Sequence, residues 1–487
     1  MKKIIILFLF IFPLIVIGQE VQKISLEAAI KLAQEKSTDY KTALNRKQAS
    51  YWRYKNYKSS FLPQVRLDAT IPSYSNSTRR ITNDNGQDIF VNQNQSRVDA
   101  NLSISQSIPY TGGSLSLNTQ IERVDIFGAN ATSGYSIVPF SINYFQNSIF
   151  YNAFKWDKKI EPLVFEESKR SFIESMEQIS LNTSRRFFSL LKTQKQLKIS
   201  KQNLTNQETL YQIAEARFTM GKIAENDLLQ MELSLLNSKN NVISNQISLK
   251  SASQDLARYL GLKMKDFELE IPDRLSIFEV DVDKAIEEAE SNRKTVIEFR
   301  RRRLQAEKEL ARVKGENKLE VNIAANFGVS QQGEVFNELF QDFNKQQNVT
   351  LRVGIPIFDW GVSKSKRKMA QANLNLVNAN LEEDEEAFKN EIYLHTLNWS
   401  NQKVFLETAE KAQNIALKRY DITQKRYVLG KITITDLNLA QQEKDRAVVR
   451  YLNSVEKFWV DYYTLRRLTL YDFIKNKKIT VNEILFE

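Results

Sequence analysis

The chain of 487 residues contains no cysteine, one histidine, eight prolines and fourteen glycines. The missing cysteine excludes a disulfide framework, a thiolate metal centre and a lipidated N-terminal Cys. One histidine supplies neither a transition-metal ligand set nor a His-based triad. That residue, His395, lies in the helical run Glu391 to Thr396 and reads as a packed side chain. Beyond the N-terminus no apolar run is long enough to cross a bilayer as a helix. Charge of one sign is not segregated either: the net charge is +11, but 26% of residues are charged and the signs are interspersed. That pattern fits solvated helix faces rather than a phosphate-binding stripe, so no nucleic-acid partner is expected. The run Arg300 to Arg303 reads in the same way, as an exposed helix face. Gly221-Lys222 and Gly430-Lys431 lack the glycine-rich lead and following Ser/Thr of a phosphate loop. No convergent catalytic cluster appears, so no catalytic residue, cofactor or metal is expected.

What is present begins with Lys2, Lys3, the apolar run Ile4 to Ile17, and Gly18. Residues 1–18 read as a signal peptide cleaved before Gln19, which makes the mature chain an exported one. Entry into a membrane would then have to be by strands.

The scarce helix breakers are placed tellingly. Between Leu163 and Leu260 there is no proline and the only glycine is Gly221; from Val362 to Glu487 there is again no proline, and only Gly430. Each stretch predicts a long helical hairpin turned at its glycine. Descending helices are expected from about Glu161 to Phe218 and from Ser363 to Val428, roughly 90 and 100 Å at 1.5 Å per residue. The two turns share a motif: Arg217, Gly221, Lys222, Ile223 and Asp227 recur 209 residues later as Arg426, Gly430, Lys431, Ile432 and Asp436. Further matches extend the duplication. Ser25 to Ala33 matches Asp281 to Ala289 at an offset of 256, as Val65 matches Val321, while Ile149-Phe150 matches Ile357-Phe358 at 208. The first half therefore carries about 48 extra residues between Val65 and Ile149.

Each half reads helix, strands, long helix, turn, long helix. The opening helices are expected over Leu26 to Ser59, ended by Pro63, and over Asp283 to Val313, ended by Gly315. In the first ascending helix Leu228, Leu235, Val242, Leu249 and Leu256 recur every seven residues, a coiled-coil seam. The second keeps it at Leu437, Tyr451, Phe458 and Leu465, with Lys444 as the exception. Between the helices lie period-two segments at Val65–Ile71, Ala100–Ile108, Leu115–Ile121, Val138–Tyr144, Ile323–Val329 and Leu351–Ile357. Apolar on one side and small-polar on the other, they are the pattern of outer-membrane barrel strands. Asn83 to Asp88 and Asn92 to Gln95 read as long loops, and Pro109 to Gly113 as a tight turn. Aromatic residues crowd the strand ends, with Phe150, Trp156 and Trp360 as candidates for a membrane-interface girdle. Two or three strand hairpins cannot close a barrel alone, because each edge must be paired inside lipid. Closure calls for a symmetric oligomer.

Several fragments, taken in order, carry a resemblance. They are Phe61-Leu62-Pro63-Gln64-Val65, Leu102 to Ile108, Val353-Gly354-Ile355-Pro356-Ile357-Phe358-Asp359 and the two tip motifs, within an exported two-fold repeat over residues 24 to 470. The chain resembles the TolC-like outer-membrane efflux family, the outer membrane factors of tripartite export systems. The resemblance implies a mixed, mostly α fold: a homotrimer whose β-barrel in the outer membrane continues into a long α-helical coiled-coil tunnel in the periplasm. It implies two repeats per chain: 19–262, with strands at about 62–150 and a tip at 221, and 280–470, with strands at about 319–358 and a tip at 430. Equatorial segments would fall at 263–292 and 471–487, with residues near Ile24 to Glu35. The expected partners are a periplasmic adaptor and an inner-membrane pump. By matching position the adaptor would dock on Arg217, Gly221, Lys222 and Ile223 and on Arg426, Gly430, Lys431 and Ile432. Asp436 matches an acidic position that narrows the periplasmic mouth, whereas Leu439 stands where some relatives have a second acid and Ile432 where a constraining base is found. The extra 48 residues would add a hairpin, either to the barrel or as an extracellular extension.

The expected function is a passive exit duct for small molecules. Export of proteins or peptides by a type I system is the same-fold alternative, and a poreless periplasmic coiled coil the alternative of another class.

Overall fold

The computed structural model describes residues 22–82, 84–128, 131–263, 267–272, 278–317 and 319–480. The expected signal peptide at 1–18 lies outside them, as do parts of the segments 263–292 and 471–487 and Asn83 of the first expected loop. In chain order the elements begin with β1 (Gln22–Ile24), α1 (Leu26–Lys36), α2 (Thr38–Ser59), β2 (Gln64–Thr82), β3 (Asp88–Ile108), β4 (Gly113–Phe127) and β5 (Thr132–Gln146). Next come α3 (Ala153–Thr219), α4 (Glu225–Tyr259), β6 (Phe267–Leu269), α5 (Val282–Asn292), α6 (Lys294–Glu316), β7 (Glu320–Gly333) and β8 (Asn344–Gly354). The chain finishes with α7 (Val362–Ser400), α8 (Gln402–Val428), α9 (Ile434–Thr469), β9 (Tyr471–Asp472) and β10 (Lys477–Lys478). Among the described residues no helix is long and apolar enough to cross a membrane.

The chain forms two compact units. One draws on residues up to Ala43, on Glu174–Glu288 and on Ile392–Ile479. Its main core gathers Leu26, Ile30 and Ala33 of α1, Phe187, Phe188 and Leu191 of α3, Leu256 of α4, Trp399 of α7 and Phe458, Trp459 and Leu465 of α9. β1 and β6 pair in parallel beside it, burying Ile24, Phe267 and Leu269. A charge network is sealed in with the apolar groups: Arg466 reaches both carboxylate oxygens of Glu177 at 2.8 and 3.0 Å and Asp472 at 2.8 Å. Glu177 and Asp472 are both buried, so removing Arg466 would strand two charges. His395 packs here too. Its Nε2 lies 2.8 Å from the Asp461 carbonyl, which can only accept, and burial pushes the imidazole pKa down.

The other unit is built chiefly from Leu44–Ile173 and Ala289–Glu391. It holds one open six-stranded antiparallel sheet, ordered β2-β3-β4-β5-β7-β8. Each of the six alternating segments of the sequence is a strand in it, four from the first half of the chain and two from the second. The tract Asn92 to Gln95, expected as a loop, is instead interior to β3 and paired with β2. The two strands run past β4: residues 88–93 of β3 pair only with β2, whereas 94–108 pair with β4 and 106–108 of these with β4 alone. Pro109 to Gly113 is the turn between β3 and β4, where Gly112 has φ +88°. The last strand stops at Gly354, short of the expected Ile357.

Helix boundaries need more correction. The expected opening helices each break in two, at Ser37 and Arg293, both extended with ψ of 155° and 147°. The break points lie 256 residues apart, the offset already found around them. Buried Ser37 closes α1 through its backbone N–H to Ala33 and opens α2 by accepting the Tyr40 N–H at 3.1 Å. Gly315 does not end α6 but lies inside it, where a Cβ would come within 2.8 Å of Tyr151. α3 begins at Ala153 and runs through Pro162 as one helix of 67 residues. The second descending helix breaks at Asn401, whose side chain donates to the Leu397 carbonyl at 2.9 Å. The arginine run is a clamp rather than a free face. Arg301 grips Glu167 of α3 at 2.6 and 3.3 Å, and Arg302 and Arg303 reach Asp384 and Glu385 of α7 at 2.6 and 3.5 Å.

Candidate functional site: the helical tips and the two-faced sheet

Both glycine turns close by the same hydrogen bonds. Gly221 N–H donates to Phe218 O at 2.8 Å and Lys222 N–H to Arg217 O at 2.8 Å. Gly430 N–H donates to Tyr427 O at 2.8 Å and Lys431 N–H to Arg426 O at 2.9 Å. This is the paired bonding of a Schellman motif, which needs a left-handed residue just past the helix. Gly221 and Gly430 supply it with φ of +69° and +71°. Nothing lies within 4 Å of where a Cβ would stand at either, so backbone conformation alone demands glycine.

The tips meet. Leu210 and Ala214 of α3, Met231 of α4, Tyr420 and Tyr427 of α8 and Ile434, Leu437 and Ala440 of α9 form one buried cluster, with Ile223 and Ile432 half-buried against it. Arg217 crosses from the first tip to the second. Its guanidinium donates to the carbonyls of Val428 at 2.7 Å and Tyr427 at 3.4 Å and lies 5.7 Å from the Tyr427 ring. A cation on the last carbonyls of α8 satisfies them and opposes the negative end of the helix dipole. Lys222, Arg426 and Lys431 face solvent, next to exposed Met220 and Leu429.

Asp436 belongs to a capping box. Its Oδ2 accepts from the Thr433 backbone N–H at 3.2 Å and the Thr433 hydroxyl at 2.7 Å, while Thr433 Oγ1 accepts the Asp436 N–H. The Thr433 bonds hold the carboxyl pKa below its ordinary value. Leu439 is exposed one turn further on. Along α3 and α9, beyond the tip cluster, lies a polar layer. Lys444, the break in the second seam, is buried; its ammonium bonds Asn203 Oδ1 of α3 at 3.0 Å and lies 4.3 Å from the Tyr420 ring of α8. Asn203 in turn donates to Asp445 at 2.8 Å, and Gln207 to Gln441 at 3.1 Å. A lysine interrupting an apolar heptad was the available signal for this layer.

The sheet has two different faces. The register lines up Gln64, Ser105, Ser116, Asn143, Asn326 and Asn348 as one row across all six strands. The adjacent row, on the opposite face, is Val65, Ile104, Leu117, Ile142 and Phe327, ending in Gln347. Side chains of neighbouring rows point to opposite sides of a sheet. One face is thus polar and the other apolar, and the apolar one is exposed: Val65, Leu67, Leu102, Leu117, Ile142 and Leu351 all remain open to solvent in the single chain. Beside the strand ends Phe150 is exposed and Trp156 half-buried, with Lys159 over its ring at 5.2 Å. Trp360 is 88% exposed, edge-on to Phe358 with ring centroids 4.5 Å apart, in a left-handed turn of φ +51°. Among the described residues no group of His, Asp or Glu is arranged to hold a metal.

No curated protein matches this sequence. Solved structures share its fold at low identity. The CmeC outer membrane channel of Campylobacter jejuni superposes with a TM-score of 0.67 at 14% identity, over 94% of this chain and 87% of that one. The outer membrane protein VceC of Vibrio cholerae gives 0.65 at 13%, over 93% and 97%. A membrane protein of Pseudomonas aeruginosa gives 0.65 at 12%, over 92% and 91%. The family model described as outer membrane efflux protein matches residues 178–262 and 319–469, segments that hold both glycine turns. By that match and that fold, the chain belongs to the outer membrane efflux protein family.

Proposed function

We propose that three copies of this chain close a β-barrel in the outer membrane and align their helices into a periplasmic tunnel, the exit duct of a tripartite efflux system. The carrying observation is the two-faced sheet with free edges at β2 and β8. An exposed apolar face of this size is costly in water and favourable against lipid. Unpaired edges are not tolerated in lipid, so the sheet must be completed by other copies. Its strand number permits this: six is even, so β8 runs opposite to β2 and copies can join edge to edge without breaking the antiparallel pattern. Three copies of a six-stranded sheet bring eighteen strands, a size at which a barrel encloses an aqueous lumen. The polar row of Gln, Ser and Asn would then line a nearly neutral passage.

The tips would dock the periplasmic adaptor of an inner-membrane pump. Exposed Lys222, Arg426, Lys431, Met220 and Leu429 offer it mixed cationic and apolar contacts on a turn set rigidly by glycine. Asp436 and Leu439, exposed on α9 one turn apart, would narrow the mouth. The repeats would run over 19–262 and 280–470, with equatorial segments at 263–292 and 471–487. The same-fold reading, an exit for peptides or proteins, is favoured by the six strands per chain, since barrel diameter grows with strand number. Planar-bilayer recording of the purified protein tests the proposal. A trimer that conducts once its tips are loosened is expected; a trimer silent even with tips removed would contradict the duct.

A further inference from the structure

The register places the start of β2, the end of β5, the start of β7 and the end of β8 at one end of the sheet, where α2, α3, α6 and α7 adjoin it. The helices carry cations there. The end of α2 has Lys55 and Lys58, and the start of α3 has Lys155, Lys158 and Lys159. The start of α7 has Lys364, Lys366, Arg367 and Lys368. All are exposed except half-exposed Arg367, and none forms an ion pair among the described residues.

The carboxylates of the same band are already engaged. Asp157 pairs with Lys308 at 2.6 Å and Glu316 with Arg312 at 2.6 Å. Asp359 accepts the N–H groups of Gly361 and Ser363 at 3.0 and 2.8 Å, capping α7. Helix polarity makes the arrangement stranger. The first turns of α1, α2, α4, α5 and α9 carry Glu27, Asp39, Glu225, Asp283 and Asp436, the sign the dipole favours. α3, α6, α7 and α8 have no acid in the first turn, and in α3 and α7 lysines sit near the positive end of the dipole. Lys55, Lys58 and Lys159 lie over the rings of Trp52, Tyr54 and Trp156, and with the other exposed cations of the band they make a surface that attracts an external anion. Immediately toward the sheet stand exposed Phe150, Ile357, Phe358 and Trp360, side chains suited to the boundary between headgroups and acyl chains.

We propose that this band binds the anionic phospholipid headgroups of the periplasmic leaflet, phosphatidylglycerol and cardiolipin in chemistry, and so fixes the depth of the barrel. It rests on the outer-membrane reading above. The lysine stems lie along the helices while their ammonium groups reach the phosphate plane. Salt weakens the attraction, because exposed charges are screened within about 8 Å at physiological ionic strength.

The test reconstitutes the full-length assembly into vesicles of phosphatidylcholine mixed with phosphatidylglycerol, then counts by mass spectrometry the lipids kept after brief detergent exchange. Phosphatidylglycerol is expected at roughly fivefold or more over its bulk share at low salt, falling as salt rises. Replacing Lys155, Lys158, Lys159, Lys364, Lys366 and Lys368 with Gln abolishes the preference, whereas Arg at the same six positions keeps it. Should the Gln protein fail to assemble, the salt titration of the unaltered protein decides alone. Equal retention of both lipids, a preference indifferent to salt, or a preference surviving the Gln changes would overturn the proposal while leaving the duct intact. A protein that enters neither vesicle would remove the membrane reading itself.

Discussion

The two ascending helices leave turns of identical geometry and then behave differently. α9, of 36 residues, buries fifteen of them, including Leu437, Phe458 and Leu465 of its seam. α4, of 35 residues, buries four, and of its strict heptad only Leu256. Leu228, Leu235, Val242 and Leu249 are half-buried, while Leu229, Leu233, Leu236, Ile243 and Ile247 stand exposed, the last at 66%. The starts differ as well: Thr433 caps α9 with its side chain, and Ala224 gives α4 no such bond. The more regular coiled-coil pattern thus belongs to the helix with fewer contacts in its own chain. A strict heptad is a statement about the partner a helix needs, and for α4 that partner is consistent with a neighbouring copy.

Substitution can break that contrast. The largest effect is expected for Leu437→Ala, which opens a cavity in the tip cluster and should cost about 2–5 kcal/mol in denaturant unfolding. Leu236→Ala should change the lone chain by no more than about 0.5 kcal/mol yet weaken the oligomer seen by sedimentation. Equal losses of folding stability from both would erase the distinction between the helices. Next, Asn203→Ala takes the amide from between the Lys444 ammonium and Asp445, leaving Lys444 only the Asp445 carboxylate at 3.2 Å, a loss of about 1–3 kcal/mol by thermal melting. Lys444→Met removes the charge along with the need for a partner and should be neutral or stabilising.

The turns should respond alike where the helices do not. Gly221→Ala and Gly430→Ala each force a side chain into left-handed backbone, about 1–2 kcal/mol apiece by the same melts. Unequal costs would show that neighbouring contacts, rather than φ, hold one of the glycines. Smaller still, Thr433→Ala should remove about 1 kcal/mol from α9, and Ala224→Ser should return part of that amount to α4. The smallest effect is one of pH. Asp436 has a folded-state pKa below its ordinary value, so its contribution is present above the unfolded pKa and fades as pH falls through the folded one. Thr433→Ala should move the carboxyl resonance midpoint upward in a pH titration; an unmoved midpoint would mean the capping bonds do not set it.

Much of this was legible from local pattern. Period-two alternation located all six strands, because each has one apolar and one polar face. The isolated glycines located both turns, because only a left-handed residue ends those helices as observed. Helix boundaries were harder. Ser37 breaks a helix with no glycine or proline, by ending one helix and capping the next, and the Ser-Thr-Asp sequence was the available clue. Pro162 fails to break α3: its neighbours Asp157, Ile160 and Glu161 are tied down by Lys308, burial and Arg53, so tertiary contacts override propensity. At Gly315 the missing side chain serves close packing rather than a helix end. Asp436 stands just after its turn, where a helix-capping charge belongs, and the Thr433-x-x-Asp436 spacing is the local sign of the box it forms. The link from Arg217 to α8 joins residues 210 and 211 positions apart, beyond any local signal.

The central claim is that β2 and β8 are completed by other copies of the same chain. The absence of native cysteine allows a clean test, with one cysteine engineered into β2 and one into β8, both on the polar face, and oxidation in native membranes. A scan of register along the two strands should find positions where the doubly substituted chain runs as a covalent trimer in denaturing gels, and each singly substituted chain as a monomer. If every pair across the scan yields monomer alone, the edges are not joined, and the barrel is not built in this way.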